Sequence, residues 1–347
     1  MTALPVRTGM YRLAQFGLGG LGTVMLSVIE EMDRLEVVAG VDPKADARES
    51  FEEAYDCPTY TSHEGLLAGH SDLDVVNIVS PHALHYEQTM AALESGLSVH
   101  VEKPMVTGIE DAVALTEAAV DSDQTVQVGY QRHFDPRYET LREIVANDTI
   151  GELGGVNCFL EQNWIDGQDG SWRADPSLSG GGQLYDSGSH LLDALLWTTD
   201  GTPRSVSADI SYDTPGVDIH SSLSVTLARD GRPVPTTVFI TGDGPSAPAP
   251  REGLYLWGSE GSVEYTESGI TVHDEDGSRQ VDVKTPTFDE LTERKLDAFL
   301  DTVAGKCENP VPPAAALDVI GLTEGAYLAD ERGERVDVQA LLDEARS

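Results

Sequence analysis

The sequence predicts an α/β protein of two domains, a doubly wound N-terminal domain followed by a C-terminal domain with antiparallel strands. The chain of 347 residues is longer than most single domains. Up to about residue 129, strands that are apolar throughout alternate with amphipathic helices, as in parallel sheets covered on both faces. Later, hydrophobicity alternates with period two, which is typical of antiparallel strands. We place the domains at residues 1–134 and 135–347.

The N-terminal elements follow one another in a regular order. Apolar residues recur every three or four positions after residue 24, and a second helical pattern runs from Ala83 to Ser95, where Gly96 marks its end. The five predicted strands share an apolar interior and are residues 12–16, 36–41, 75–79, 98–101 and 125–128.

In the C-terminal half, the predicted strands are those with period-two alternation: residues 156–160, 221–227, 236–240, 254–257 and 280–283. The segment 243–250 is rich in Gly and Pro, which predicts an exposed loop. Two helical patterns, residues 289–304 and 314–331, close the chain.

Acidic residues dominate the composition. The 60 Asp and Glu against 22 Lys and Arg give a formal net charge of -38, which excludes nucleic acid and anionic membrane as partners. Because only five of the cations are Lys, we interpret the chain as a protein of a high-salt cytoplasm, such as that of a haloarchaeon. There the Debye length is roughly 3 Å and self-repulsion is screened. An acidic protein of an ordinary cytoplasm is the alternative.

Cysteine usage and the first residues bear on the compartment. Cys57, Cys158 and Cys307 lie far apart without CxxC spacing, which indicates free thiols in a reducing compartment and no metal site. Residues 1–11 contain no apolar signal segment, and no apolar run approaches the length of about 18 residues that a membrane span needs. We therefore expect a cytoplasmic protein.

A glycine motif lies between the first predicted strand and helix. Gly17, Gly19 and Gly22 match G-x-G-x-x-G, in which the glycines allow a tight turn, close approach to a pyrophosphate and close helix packing. Asp42 ends the second strand, where a carboxylate binds ribose hydroxyls and repels a 2′-phosphate, so we expect NAD. Its alternative role is that of a helix N-cap. Two basic residues nearby leave NADP open: Lys44 and Arg48.

Other candidates carry proton-transfer chemistry. Ser80 lies in a turn at the carboxyl edge of the predicted sheet. A predicted strand runs straight into Glu102, Lys103 and Pro104, so the Lys103 ammonium is expected at the same edge, with a salt bridge as the alternative. Asp186 and His190 are four residues apart, which places them on one helical face. Lys, Asp and His together suit proton transfer between an alcohol and its ketone.

Six segments of the sequence carry a resemblance to a known family. In order, they are Gly17–Gly22, Glu102–Pro104, Gly129–Arg132 with Phe134, Trp172–Arg173, the glycine run that leads to Asp186 and His190, and Gly258–Ser262. Together they resemble the Gfo/Idh/MocA family, named after glucose-fructose oxidoreductase and inositol dehydrogenase. The resemblance covers nearly the whole chain. His82 departs from it, because relatives usually have Asn there. We assign no chemical role to His82 or His85, which are interpreted as helix-end residues that bond to local backbone.

The resemblance implies an N-terminal Rossmann domain and a C-terminal α/β domain with a large open, mainly antiparallel sheet, through which homodimers or homotetramers assemble. It also implies hydride transfer between NAD(P) and a sugar, polyol or related hydroxy compound. Its catalytic residues fall on Lys103, Asp186 and His190. The expected cofactor contacts are Gly17, Leu18, Gly19, Gly22, Asp42, Ser80, Glu102 and Gln131. The further candidates for the substrate pocket are Trp164, Trp172 and Arg173.

Two other classes of function stay open. A redox-assisted glycosidase would use tightly held NAD and release product without net cofactor consumption. A sugar or NAD sensor would not catalyse at all, and the complete set of Lys103, Asp186 and His190 argues against it because a sensor needs none of them.

Overall fold

The structure is a computed structural model that describes residues 9–168, 170–244 and 251–347. These residues divide into two units. Unit 1 takes in the described residues up to 106, 114–131 and 287–314, and unit 2 takes in residues 107–113, the described part of 132–286, and 315–347.

The helices of the described residues are short to medium in length and are numbered along the chain. They are α1 (Gly20–Glu30), α2 (Ala45–Tyr55), α3 (His63–Gly69), α4 (His85–Glu94), α5 (Ile109–Asp121), α6 (Pro136–Ala146), α7 (Pro176–Ser179), α8 (Ser189–Thr199), α9 (Phe288–Val303), α10 (Pro313–Arg332) and α11 (Val338–Ala345).

Unit 1 is built on a six-stranded parallel sheet. Its strands are β1 (Tyr11–Phe16), β2 (Leu35–Val41), β3 (Thr59–Tyr60), β4 (Val75–Ile78), β5 (Ser98–Val101) and β6 (Val126–Val128). They lie in the order β3-β2-β1-β4-β5-β6, with every pair parallel. The chain thus reverses its direction of winding between β1 and β4, and sheets of this kind bind ligands beyond the carboxyl ends of the strands there. The predicted doubly wound domain is confirmed, and all five predicted strands form.

The core of unit 1 joins the start of the chain to a late helix. Leu13 of β1 packs with Met25 and Ile29 of α1 and with Leu296 and Phe299 of α9. A capping box, in which the Thr287 hydroxyl and the Glu290 carboxylate each accept a backbone N–H, begins α9. This helix packs within unit 1 although it follows residue 134, and the predicted domain division stays a prediction.

Unit 2 contains a nine-stranded sheet in the order β14-β13-β12-β11-β7-β10-β9-β8-β15. Its strands are β7 (Leu153–Glu161), β8 (Thr202–Thr214), β9 (Val217–Arg229), β10 (Arg232–Thr241), β11 (Arg251–Gly258), β12 (Ser262–Thr266), β13 (Gly269–Asp274), β14 (Gly277–Val281) and β15 (Val336–Asp337). The predicted large, mainly antiparallel sheet is confirmed.

Two details of the strand predictions are wrong. Strands β7 and β10, predicted to be antiparallel, pair in parallel with each other, because period-two alternation reports a single covered face and not the direction of the neighbour. The last predicted strand, residues 280–283, is observed at Gly277–Val281, where the chain turns tightly after Asp274 to pair with β13.

One face of the second sheet is covered and the other is open. Along β10, buried and exposed residues alternate, and α8 packs against β7 while α6 packs against α8. Residues 245–250 of the predicted exposed loop lie outside the described residues. No described helix is both long and apolar enough to cross a membrane.

Candidate functional site

The glycine loop between β1 and α1 has a shape that only glycine permits. Gly17 has φ of +90°, and a Cβ atom there would lie 2.7 Å from the Val79 carbonyl oxygen. A Cβ at Gly22 would lie 2.1 Å from the Gly17 carbonyl oxygen. At Gly19, which is the N-cap of α1, no described atom beyond the glycine and its two chain neighbours lies within 4 Å of the position that a Cβ would take. The loop is therefore closed on the protein side and open at the helix N-terminus, where an anion is favoured.

Asp42 is tied to this loop. Its carboxylate accepts hydrogen bonds from the main-chain N–H groups of Leu18, at 3.0 Å, and Lys44, at 2.9 Å. The N-cap of α2 is Lys44, so the alternative in which Asp42 only caps that helix is wrong. The Arg48 guanidinium donates to the main-chain carbonyls of Asp42 and Pro43. The carboxylate thus lies beside the glycine loop with its position fixed by main-chain donors.

The turn after β4 is linked to the turn after β5. The Ser80 hydroxyl donates to Gln88, and the buried ring of His85 lies between two carbonyl oxygens, 2.9 Å from that of Ser80 and 2.8 Å from that of Pro104. Burial lowers the pKa of His85. This agrees with the interpretation of His85 as a residue that bonds to backbone.

Lys103 lies two residues beyond the end of β5, and only 8% of its surface is exposed. The carboxylate of its neighbour Glu102 accepts the Lys103 main-chain N–H at 3.3 Å and forms a buried ion pair with Lys295 of α9. Burial alone would raise the pKa of Glu102, but the charge of Lys295 holds that pKa below its usual range. The catalytic candidate is therefore preceded by an ionised, buried carboxylate.

In unit 2, Asp186 is held by two of the residues predicted for the substrate pocket. One carboxylate oxygen accepts the Trp164 indole N–H at 2.8 Å and the Arg173 Nε–H at 3.0 Å. The Arg173 guanidinium also lies over the ring of Trp172, 4.3 Å from its centre. Trp164 and Arg173, which come from two separate turns, thus form one polar cluster around Asp186.

Asp186 and His190 lie on either side of a change in helix type. Residues Leu184–Gly188 form a π-helical turn, and α8 begins at Ser189. The prediction of one continuous α-helical face is wrong in this detail, because a π turn contains more residues than an α turn. Such turns recur at functional sites.

A buried aspartate fixes the glycine run before this turn. Asp218 accepts the main-chain N–H of Gly182 at 2.8 Å, that of Leu184 at 2.7 Å, and the hydroxyl of Tyr327. A Cβ at Gly182 would lie 2.2 Å from the Asp218 carbonyl oxygen. Burial raises the pKa of Asp218 despite these hydrogen bonds.

The comparisons with known proteins agree with this geometry. The model of an oxidoreductase family with an NAD-binding Rossmann fold, Gfo/Idh/MocA, matches residues 11–130, and the model of the Gfo/Idh/MocA C-terminal domain matches residues 138–264. The chain belongs to the Gfo/Idh/MocA family of oxidoreductases. Its first part is therefore an NAD-binding Rossmann domain.

Relatives within the Gfo/Idh/MocA family differ in how much they share with the chain. D-xylose 1-dehydrogenase (NADP(+)) 2 of Haloferax volcanii is 28% identical over 92% of this chain and 98% of its own length. An uncharacterized oxidoreductase of Schizosaccharomyces pombe is 32% identical over 60% of this chain. The chain spans only 57% of that relative, and 51% and 59% of two others of similar identity.

Solved structures support the Gfo/Idh/MocA fold. The crystal structure of an oxidoreductase domain protein from Kribbella flavida matches with a TM-score of 0.84 at 19% identity, covering 96% of this chain and 100% of that one. At this identity the likeness concerns the fold.

The residues of this Gfo/Idh/MocA member fit NAD. Gly19 leaves the N-terminus of α1 open for a pyrophosphate, and the Asp42 carboxylate lies where ribose hydroxyls are bound in such folds. Gln131 begins a short 3₁₀ turn after β6 and is half-buried.

Two residues of the site escaped the sequence analysis. Lys295 lies on the apolar face of α9, four residues from Leu291 and Phe299, and a lysine in that position signals a buried partner. Asp218 lies just before the predicted strand 221–227, where nothing in the sequence marks it as buried.

Proposed function

We propose that the protein is an NAD(P)-dependent dehydrogenase that transfers a hydride between its cofactor and a CH–OH group of a sugar, polyol or related hydroxy compound. One observation carries the proposal. Within unit 1, the buried Lys103 lies at the carboxyl end of β5, at the same edge of the sheet as the glycine loop and Asp42. A cation at this edge lies where a substrate oxygen meets a bound dinucleotide.

The catalytic roles follow from the chemistry of three side chains. We propose that His190, aided by Lys103, accepts the hydroxyl proton of the substrate in the oxidative direction. The ammonium of Lys103 stabilises the oxyanion that develops on that oxygen. Asp186 orients the cation or the imidazole, and bound NAD(P) supplies the hydride acceptor or donor.

We assign the substrate pocket to the polar cluster around Asp186. Trp164 and Arg173 hydrogen-bond to Asp186, and Trp172 lies under the Arg173 guanidinium. Together with Asp186 and His190 of the same unit, they offer aromatic faces and polar groups, which is the combination that sugar hydroxyls require.

For the cofactor, we propose that NAD is preferred to NADP. The expected contacts are Gly17, Leu18, Gly19, Gly22, Asp42, Ser80, Glu102 and Gln131. Because the carboxylate of Glu102 is paired with Lys295, we assign its contact to the main chain. The Asp42 charge would repel a 2′-phosphate, and the Arg48 guanidinium points to main-chain carbonyls.

The named activities of relatives support this substrate class. One relative is named as a D-xylose 1-dehydrogenase (NADP(+)) and another as an inositol 2-dehydrogenase. The test is a screen of NAD and NADP reduction against pentoses, hexoses, inositols and sugar acids in molar KCl. Reduction of NAD by at least one sugar or polyol is expected. Product release without net reduction would favour the redox-assisted glycosidase, and binding without turnover would favour the sensor.

The cellular setting and assembly are proposed with the function. The net charge of -38 and the five lysines support a high-salt cytoplasm of haloarchaeal type. We further propose a homodimer or homotetramer assembled through the open face of the second sheet, where Phe239 and Trp257 are each 48% exposed. Residues 1–134 would bind the cofactor, and residues 135–347 would bind substrate and assemble.

A further inference from the structure

A row of polar side chains crosses the buried middle of the first sheet. Gln15, Asn77, His100 and Gln127 lie directly opposite one another on β1, β4, β5 and β6. All four are fully buried. Strands of a doubly wound sheet are normally apolar at such positions, because a buried polar group is costly unless it is hydrogen-bonded. One polar residue on each of four neighbouring strands therefore calls for a function.

The row leads to the glycine loop at one end. His100 Nδ1 donates to the Asn77 amide oxygen at 2.7 Å, Asn77 donates to the Gln15 amide oxygen at 2.7 Å, and Gln15 donates to the Gly17 carbonyl at 3.1 Å. The next peptide N–H, that of Leu18, donates to Asp42. The peptide unit between Gly17 and Leu18 is thus held on both sides.

At its other end the row reaches Lys295. Gln127 donates to the Lys295 main-chain carbonyl at 2.9 Å, and the Lys295 ammonium pairs with Glu102, with side chains 2% and 8% exposed. Glu102 in turn accepts the Lys103 main-chain N–H. A Cβ at Gly129 would lie 2.8 Å from the Glu102 carboxyl carbon, so the carboxylate has little freedom to move.

A buried ion pair is a poor device for stability alone. Pairs of this kind can often be replaced by apolar side chains without loss of stability, because removing two charges from water offsets their attraction. The pair does fix geometry, because the Glu102 carboxylate that binds the Lys295 ammonium also accepts the Lys103 main-chain N–H. The main chain that it fixes is that of Lys103.

We propose that Lys295 is a positioning residue for Lys103, acting through its buried ion pair with Glu102. The inference rests on the proposed function in one respect, because it takes Lys103 as a catalytic residue. Lys295 holds the Glu102 carboxylate in place beside the turn that follows β5. Glu102 in turn holds the Lys103 main chain, so that the Lys103 ammonium reaches the substrate oxygen.

The test compares Lys295→Met with a matched control, Lys306→Met. Lys306 forms an exposed ion pair with Asp301 just beyond α9. On a substrate found in the screen, Lys295→Met should lower kcat about 10- to 100-fold while NAD affinity stays within about threefold, because a small displacement of a catalytic group has effects of that size. Lys295→Arg should restore part of kcat, and Lys306→Met should leave it unchanged.

A second readout does not depend on turnover. The chain has five lysines, so labelling at Cε with ¹³C gives few NMR signals, and that of Lys103 is identified by its loss in Lys103→Met. The Lys103 signal should move in Lys295→Met and stay in place in Lys306→Met. If Lys295→Met does not fold, Glu102→Gln/Lys295→Met removes both charges, and it should show the moved signal and the lowered kcat.

The outcomes separate the two proposals. A folded Lys295→Met protein with parental kcat and an unmoved Lys103 signal overturns the positioning role. If the parent protein transfers no hydride to any substrate but the signal moves, the proposed function fails and the link from Lys295 to Lys103 stands.

Discussion

At the scale of single residues, the candidate site consists of charged groups that their surroundings orient. Asp42 is held by two main-chain N–H groups, and Asp186 by Trp164 and Arg173. Each carboxylate oxygen can accept more than one hydrogen bond, so these contacts leave room for ligand hydroxyls. Groups oriented in this way need little rearrangement during a reaction.

Removing the charge of Asp42 should weaken discrimination between cofactors. In Asp42→Ala the ribose loses a hydrogen bond to a charged group, worth roughly 1.5 to 3 kcal/mol, and a 2′-phosphate meets no repulsion. We expect the ratio of kcat/KM for NAD over NADP to fall about 10-fold or more. Steady-state kinetics with both cofactors measures it. A parent protein that uses NADP better than NAD would show that Lys44 or Arg48 governs this pocket.

Removing either proton-transfer residue should slow the chemical step. Lys103→Ala and His190→Ala should each lower kcat by about 10² to 10⁴, and the double variant should lose less than the product because the two act as one unit. NAD affinity, measured by fluorescence titration, should change little, because the proposed contacts to the pyrophosphate and ribose, the glycine loop and Asp42, are unchanged in these variants. Near-parental hydride transfer by Lys103→Ala would contradict the mechanism and favour a sensor.

At the scale of elements, local patterns predicted five of the six strands of the first sheet, because these five are largely apolar and alternate with helices. The sixth, β3, has only two residues, Thr59 and Tyr60, and left no such pattern. The glycine loop and Asp42 were predictable for the same reason, since a strand, a turn and a helix are contiguous in sequence. The pair of Glu102 and Lys295 was not, because its partners are 193 residues apart. The polar row left a signal in Gln15, Asn77, His100 and Gln127, one in each of four predicted strands, but only the register shows that they lie side by side.

The polar row should make stability depend on pH. Burial, and then the charge of Lys295, lower the pKa of His100 to about 3 from its usual 6.5. Below about pH 6.5, His100 therefore binds a proton in the unfolded chain and not in the folded one. The contribution of this histidine to stability is present above about pH 6.5, and below it the free energy of unfolding falls by about 1.4 kcal/mol per pH unit. The loss continues until the pH approaches the folded value.

The variant His100→Gln should reduce this dependence by about one proton. Between about pH 6.5 and 5, the parent should lose about 2 kcal/mol more than the variant, as measured by denaturant unfolding at constant salt. His85 also has a lowered pKa and keeps its own contribution in both proteins. Equal slopes in parent and His100→Gln would contradict the prediction.

The hydrogen bonds of Asp218 should hold the segment that carries Asp186. In Asp218→Asn, one acceptor becomes an amide N–H₂ facing a main-chain N–H, and an unsatisfied buried group costs about 1 to 3 kcal/mol. We expect a lower melting temperature and a lower kcat, with NAD affinity unchanged. Asp213→Asn, an exposed change on β8, is the matched control. Parental stability and kcat in Asp218→Asn would show that the segment does not depend on this carboxylate.

At the scale of the whole molecule, buried and exposed ion pairs respond differently to salt. Lys295 with Glu102 and Arg132 with Glu252 are largely buried and escape screening. Exposed pairs such as Lys306 with Asp301 contribute at most about 1 kcal/mol each, and salt screens them. The attraction within these pairs is opposed by repulsion among the acidic side chains, which give the chain a formal net charge of -38.

Salt should therefore stabilise the protein although it weakens exposed ion pairs. Between about 0.1 and 1 M KCl the Debye length falls from roughly 10 to 3 Å, so repulsion among the carboxylates is lost over that range. We expect the melting temperature and activity to rise steeply there, and any gain beyond about 1 M to reflect exclusion of salt from apolar surface. Replacing KCl by sulfate at equal ionic strength separates the two effects, because sulfate adds to the second and not to screening. Unchanged melting and activity between about 0.1 and 3 M KCl would contradict adaptation to high salt.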